Sequence, residues 1–88
     1  MKVEFDKSFS KSIEKLNDRH VKEKIIKFIS ELEKADSLKE LTQIKKLKGD
    51  SISYRKKIGS YRIGFEYDKN TITLIVLAHR KDIYKSFP

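Results

Sequence analysis

The chain has 88 residues, a formal net charge of +8 at pH 7 and no cysteine. Because compact domains usually contain about 100 residues or more, we predict a single domain over residues 1–88. The absence of cysteine excludes disulfide scaffolds, thiolate metal sites and a cysteine nucleophile, and two histidines are too few for a histidine metal cage. No stretch approaches the ~20 apolar residues of a membrane-spanning helix, and acidic residues lie where a signal peptide would be apolar, so we expect a cytoplasmic protein.

The positive charge is concentrated in the second half of the chain. Residues 1–44 contain 10 basic and 9 acidic side chains, whereas residues 45–88 contain 11 basic and 4 acidic side chains. This excess favours a polyanionic partner, most commonly a nucleic acid, because neutralised phosphates release counterions. The charge alone is equally compatible with a role in solubility.

The first half of the sequence has the periodicity of two helices. Val3 and Phe5 alternate with charged residues, which indicates a short edge strand. Asp6 is a suitable N-cap for a first helix, and Asp18, after a break in the pattern, is a suitable N-cap for a second. Apolar residues recur at helical spacing in both segments, at Phe9, Ile13 and Leu16 and then at Val21, Ile25, Phe28, Ile29 and Leu32. The pattern predicts an antiparallel helical hairpin, followed by a connecting turn or loop over residues 35–44.

The second half changes to the two-residue periodicity of strands. Strands are predicted over residues 52–58, 61–67 and 71–78, separated by Gly59-Ser60 and by residues 68–70. Such short connections produce antiparallel hairpins. The last strand is apolar on both faces and is expected to be central or covered by a helix. The sequence therefore predicts an α+β fold, with the helical hairpin packed on one face of a small twisted, mainly antiparallel sheet and an open basic face opposite.

Basic side chains are predicted to share that open face. Strand alternation places Arg55 and Lys57 on one side of their strand and Arg62 on the same side of the next. Adjacent like charges are unfavourable, so such a cluster indicates an anionic ligand, although long cations that simply reach into water are the alternative. Lys56 interrupts the apolar side of its strand: either it extends past the sheet edge, or a bulge shifts the register and Lys56 replaces Lys57 in the cluster. Glu66, on the same face, either orients Arg62 or simply offsets its charge, and a salt bridge with Arg62 is the more common arrangement.

Four short motifs follow one another in the second half of the chain. They are Lys46-Leu47-Lys48-Gly49, Tyr54-Arg55-Lys56-Lys57-Ile58, Gly59-Ser60-Tyr61-Arg62-Ile63 and His79-Arg80-Lys81-Asp82-Ile83-Tyr84. In this order, and after a helical hairpin, they resemble the motifs of the RelE/ParE superfamily of small toxins from type II toxin–antitoxin systems. The resemblance is to its RelE-like branch of messenger-RNA interferases, and it extends over almost the whole chain.

This resemblance implies a function as well as a fold. RelE-like toxins cleave messenger RNA in the ribosomal decoding site by attack of a ribose 2′-oxygen on the adjacent phosphate, without a metal or any other cofactor. The implied partners are the ribosome, its messenger RNA and a cognate antitoxin protein, acidic or amphipathic, that covers or displaces the basic residues. Neither a membrane nor a small-molecule cofactor is implied.

The resemblance also gives candidate roles to individual residues. Lys57 is expected to be the base, because neighbouring cations favour a neutral lysine, and Arg62 is expected to clamp the scissile phosphate. Arg80 would stabilise the leaving oxygen, and Arg55 would hold the RNA backbone. Tyr84 would stack on a base or orient the 2′-hydroxyl, unless it only packs the C-terminal segment. Further contacts with RNA are expected from Lys46, Lys48, Lys56 and Lys81.

His79 is the residue type best suited to general acid catalysis near neutral pH. Alternation, however, places it on the side of its strand opposite Arg80. We therefore expect His79 to have a structural, hydrogen-bonding role.

Two other functions stay open. A ParE-like toxin of the same fold would inhibit DNA gyrase and cleave nothing. A catalytically silent module would use the same cations only to bind RNA. The paired basic positions and the terminal Tyr84 favour the nuclease, because the gyrase-directed branch usually lacks them.

Overall fold

The computed structural model describes residues 1–88. The elements in chain order are β1 (Lys2–Phe5), α1 (Lys7–Glu14), α2 (Arg19–Lys34), a 3₁₀ turn (Leu38–Glu40), β2 (Ile44–Lys46), β3 (Ser53–Ile58), β4 (Tyr61–Asp68), β5 (Thr71–His79) and α3 (Ile83–Ser86). The predicted α+β class, the two helices and the three long strands are therefore confirmed. None of the helices is long and apolar enough to cross a membrane.

The five strands form one mixed sheet in the order β1-β5-β4-β3-β2. β1 runs parallel to β5, and all other neighbours are antiparallel. Gly59, with φ of 56°, opens the two-residue turn between β3 and β4. Lys69 and Asn70, with φ of 49° and 62°, form the turn between β4 and β5. Positive φ at both turn residues matches the right-handed twist of the two strands.

The two long helices begin at the predicted caps. The Asp6 carboxylate accepts a hydrogen bond from the Ser8 amide at 3.0 Å, and the Asp18 carboxylate accepts one from the Val21 amide at 3.2 Å. Each bond satisfies a backbone donor that has no partner within the helix. Hydrogen bonds from the Ser8 hydroxyl and amide also hold the pKa of Asp6 below its ordinary value of 3.8.

The main core lies between the helices and one face of the sheet. It contains twelve buried side chains, which are Phe9, Leu16, Val21, Ile25, Phe28, Leu32, Ile58, Ile63, Phe65, Ile72, Leu74 and Leu77. Phe65 is at its centre, with its ring centroid 5.6 Å from that of Tyr54 and 6.0 Å from that of Phe28. Aromatic pairs at these separations add to the stability gained from burial.

A bulge in β5 changes which residues face this core. Gly64 pairs with Val76 and Phe65 pairs with Leu74, so Ile75 has no partner on β4. Alternation therefore shifts by one residue, and Leu77 instead of Val76 joins the main core.

The second face of the sheet is covered near β5 by α3, which the sequence did not reveal. Ile83 and Phe87 form a small second core with Leu47, and they pack against Ile75, Val76 and Ala78 of β5. This cover explains why β5 is apolar on both faces. The face that we predicted to be open is thus partly occupied, and the remaining part lies over β2, β3 and β4.

Candidate active site

Strand register brings four cations to the uncovered part of the second face. Lys45 of β2 lies directly opposite Arg55 of β3, and Lys57 lies directly opposite Arg62 of β4. Together with Gln43 and Ile44, these four side chains line an open groove of about 500 Å³. Three of the four were predicted from alternation, whereas Lys45 was missed because the three-residue strand β2 was not predicted.

No carboxylate neutralises this group. The only ion pair in the chain joins Lys2 Nζ to Glu4 Oε1 at 3.4 Å, on the opposite edge of the sheet. Our prediction of a salt bridge between Glu66 and Arg62 is wrong, because Glu66 lies opposite Ser53 and Thr73, four residues along β4 from Arg62. The groove therefore keeps an unbalanced positive charge, which is the electrostatic requirement for an anion site.

Arg62 is oriented by the turn beside it. Its Nη1 donates hydrogen bonds to the carbonyl oxygens of Gly59 at 2.9 Å and of Tyr61 at 2.8 Å. At the same turn, the Arg80 amide donates to the Ser60 carbonyl oxygen at 2.8 Å. Arg80 is exposed and begins the connection to α3, so its backbone lies beside the end of the groove where Arg62 is held.

Arg55 and Tyr84 form the other end of the site. The Arg55 Cζ lies 4.8 Å from the centroid of the Tyr84 ring, within the range of a cation–π contact. Tyr84 is 75% exposed, so this contact leaves most of the ring free for stacking. The Arg55 Nε is removed from solvent and has no hydrogen-bond partner, so one donor of this guanidinium is uncommitted.

Lys56 lies on the helix side of the sheet, opposite Ile63 of the main core. Its Nζ donates to the Thr42 carbonyl oxygen at 2.8 Å and lies 5.0 Å from the centroid of the Phe28 ring. Burial lowers the pKa of Lys56 below its ordinary 10.5, and Lys27 adds to this effect while Glu31 opposes it. Of the two alternatives for the cluster lysine, the structure places Lys57 in the groove, and Lys56 lies on the helix side between Thr42 and Phe28.

The other three lysines predicted to bind RNA lie outside the groove. Lys46 is opposite Tyr54 and so lies on the helix side, where it lines a shallow pocket with Leu38 and Tyr67. The prediction for Lys46 failed because strand β2 was not predicted. Alternation within β2 turns Lys45 toward the groove and Lys46 toward the helix side. Lys48 and Lys81 are exposed on the connections before β3 and after β5.

His79 lies on the side of β5 away from the cations, as expected. Its ring is edge-on to the Tyr61 ring, with centroids 5.7 Å apart, and its Nδ1 accepts a hydrogen bond from the Lys81 amide at 3.2 Å. These contacts fix the chain where β5 ends and the connection to α3 begins. They make His79 a structural residue of that connection.

The chemistry available in the groove is that of fixed positive charge with two exposed amines, those of Lys45 and Lys57. Arginines supply planar donors that suit phosphate oxygens, and Lys57 supplies an amine able to exchange a proton. A strand of nucleic acid could lie along the groove with a base on the Tyr84 ring. The site is built to hold an anion and to stabilise charge that develops on it.

Comparison with known proteins agrees with this architecture. Residues 3–84 match the family described as ParE toxin of type II toxin-antitoxin system, parDE. The chain is 40% identical to Toxin RelE3 of Methanocaldococcus jannaschii over 89 residues, which covers 100% of both proteins.

Two solved structures extend the comparison to three dimensions. The RelB-RelE antitoxin-toxin complex from Methanococcus jannaschii is similar, with a TM-score of 0.83 and 36% identity over 97% of this chain and 99% of that chain. The archaeal RelE-RelB complex from Pyrococcus horikoshii OT3 has a TM-score of 0.71 over 90% of this chain and 93% of that chain, and at 23% identity it supports the fold alone. The chain therefore belongs to the RelE/ParE superfamily of toxins from type II toxin–antitoxin systems, and it is a RelE-like member.

Proposed function

We propose that this toxin is a messenger-RNA endoribonuclease that acts on the translating ribosome in the cytoplasm. The observation that carries the proposal is the groove lined by Lys45, Arg55, Lys57 and Arg62, which has no carboxylate partner and is extended by the Tyr84 ring. Four unpaired cations within one groove match the charge of a nucleic-acid backbone. A fold that only needed solubility would not place like charges directly opposite each other on adjacent strands.

The proposed reaction is an internal transesterification. The ribose 2′-oxygen attacks the adjacent phosphorus as its proton passes to the Lys57 amine, and a new O–P bond forms. The bond from phosphorus to the 5′-oxygen breaks, and that oxygen takes a proton from solvent. The products are a 2′,3′-cyclic phosphate and a free 5′-hydroxyl, and no oxidant, reductant or added water is consumed.

Each remaining residue of the site has a role in that scheme. Arg62, held by two carbonyl oxygens of the β3–β4 turn, binds the non-bridging oxygens of the scissile phosphate. Arg80, at the same turn, stabilises charge on the leaving oxygen. Arg55 and Lys45 hold the neighbouring phosphate, and Tyr84 stacks on an unstacked base of the message.

A gyrase inhibitor is the second candidate, because the matching family carries the ParE description. The relative with 40% identity is instead named as a RelE toxin; the groove holds basic residues directly opposite each other, and Tyr84 lies beside it against Arg55, as expected of a nuclease. A silent RNA-binding module is the third candidate. It would use the same groove but would not need a lysine and an arginine directly opposite each other.

We also propose a cognate antitoxin as the natural partner. The structures from Methanococcus jannaschii and Pyrococcus horikoshii are complexes of RelE with RelB. An antitoxin for this chain would need acidic residues to complement the cationic groove and apolar residues to bury surface around it. A complex of the two proteins should therefore cleave no RNA.

The test is cleavage of messenger RNA on programmed ribosomes by the purified toxin, with 5′ ends mapped by primer extension. Wild type should cut only in the presence of ribosomes, and Lys57→Gln and Arg62→Gln should each lose activity while they stay folded. Lys34→Gln, which removes a lysine from the end of α2, is the matched control and should cut like wild type. DNA supercoiling by gyrase is measured with the same samples.

The alternatives predict different results in this pair of assays. Inhibition of supercoiling without RNA cleavage would identify a gyrase inhibitor, and RNA binding without cleavage would identify a silent module. Either result would contradict the proposed reaction.

A further inference from the structure

Gly64 has no room for any side chain. A Cβ atom on Gly64 would lie 2.5 Å from Phe87 Cγ and 2.6 Å from Phe87 Cδ2. These distances are shorter than real Cβ contacts, so the Phe87 ring rests directly on the β4 backbone. The φ angle of Gly64 is not in the left-handed region, so the space taken by Phe87, and not backbone conformation, requires glycine here.

The Phe87 ring is a major anchor of α3. Phe87 is 6% exposed and Ile83 is 1% exposed, and both pack with Leu47 against β5. The Phe87 amide donates to the Ile83 carbonyl oxygen at 3.0 Å, which closes the short helix around the two anchored residues. Because a helix of four residues has little stability of its own, its position depends on these side-chain contacts.

The same anchor determines where Tyr84 lies. Tyr84 follows Ile83 in α3 and is 75% exposed, and its ring contacts the Arg55 guanidinium. Arg55 is the residue directly opposite Gly64 in the β3–β4 ladder. Gly64, on which Phe87 packs, and Arg55, which Tyr84 contacts, therefore lie directly opposite each other on adjacent strands.

We propose that the contact between Phe87 and Gly64 is a positioning device that holds Tyr84 against Arg55. Phe87 and Gly64 are positioning residues, since neither lines the groove. This inference rests on the proposed function, because the placement of Tyr84 matters for RNA cleavage only if the groove is the active site. A misplacement of about 1 Å caused by a mutation distant from the chemistry can lower a rate by about 100-fold, so small changes at the anchor should be visible in kcat.

The experiment is a double-mutant cycle with Gly64→Ala, Phe87→Ala and the double variant, measured as kcat and KM for cleavage on ribosomes. Each single variant should lower kcat by about 10-fold to 100-fold with little change in KM, because the four cations stay in place. Gly64→Ala should have no further effect in the Phe87→Ala background, since the ring that it displaces is gone. Phe87→Leu, which keeps an apolar anchor, should retain most of the wild-type kcat.

A second readout does not depend on activity. In the free protein, the Tyr84 ring should shift the NMR resonances of the Arg55 side chain, and both single variants should move these resonances toward their ordinary values. Phe5→Ala removes an exposed ring near the opposite edge of the sheet and is the control for general loss of packing. It should change neither the Arg55 resonances nor kcat.

Several results would overturn the inference. Additive effects of Gly64→Ala and Phe87→Ala would show that the two residues do not act through one contact. Unchanged Arg55 resonances in Phe87→Ala would show that Phe87 does not place Tyr84. If wild type cleaves no RNA, the proposed function fails, and the NMR measurement still decides whether the anchor places the ring.

Discussion

Removal of the Lys57 charge should make the protein more stable and less active. Lys57 lies directly opposite Arg62 in the antiparallel ladder, and no carboxylate is paired with either. Like charges in this arrangement are destabilising, and pairs of this kind change stability by about 0.2–1 kcal/mol. We therefore expect Lys57→Gln, which keeps most of the side-chain length, to raise the free energy of unfolding.

The change is measurable in a domain of this size. A gain of about 0.5 kcal/mol corresponds to a rise in Tm of about 2–4 °C. Urea unfolding followed by circular dichroism at about 0.1 M NaCl gives the free energy, and the same titration at about 1 M NaCl separates the electrostatic part, because the Debye length falls from about 10 Å to about 3 Å. The gain should disappear at the higher salt concentration.

The control is Lys34→Gln, in the last turn of α2. A lysine there interacts favourably with the helix dipole, so its removal should give no gain in stability. Loss of stability in Lys57→Gln, or a gain that persists at about 1 M NaCl, would refute the argument that the groove cations repel each other in the free protein and that a bound anion reduces this repulsion.

Three further predictions concern other charged residues. Arg62→Gln should lower the slope of log Kd against log salt for a non-cleavable 2′-O-methyl RNA by about 0.7, the contribution of one phosphate contact in a single strand; an unchanged slope would exclude a phosphate contact. Burial lowers the pKa of Lys56, so the folded state disfavours its charged form. The free energy of unfolding of wild type should therefore rise as the pH approaches 10.5 from below, and urea titrations of Lys56→Met should lack this rise. Hydrogen bonds, chiefly from the Ser53 hydroxyl, lower the pKa of Asp50 below 3.8, so its contribution to stability should be present above that pH and lost as pH falls further; Asp50→Asn should be less stable at neutral pH and should show weaker acid dependence in thermal unfolding.

The parts of the fold that the sequence predicted are those with a repeated local signal. Asp6 and Asp18 each precede a helical apolar stripe, and the alternation of Tyr61 to Tyr67 is long enough to define a strand and its faces. The short elements were missed. Ile44–Lys46 forms a strand only because β3 offers it an edge, and Ile83–Ser86 is helical because Phe87 and Ile83 pack on β5.

In the candidate site too, residues with a local sequence signal were predicted, and residues placed by contacts between elements were not. Alternation within β3 and β4 was sufficient to place Arg55, Lys57 and Arg62 on one face. Lys45 could be recognised only from its pairing with Arg55, a contact between strands that local pattern does not encode. The contact of Phe87 with Gly64 was likewise invisible, since it depends on the exact path of the chain after β5.

The most direct test of the central claim is chemical. The main cleavage position on a ribosome-bound message is mapped first, and the ribose before that phosphate is then replaced by its 2′-deoxy analogue. We predict that wild type cuts the all-ribose message to a 2′,3′-cyclic phosphate and a 5′-hydroxyl, and that the single deoxy substitution abolishes cleavage at that bond. Cleavage of the deoxy message at the same bond, or a 5′-phosphate on the product, would show that the groove does not act through the 2′-oxygen.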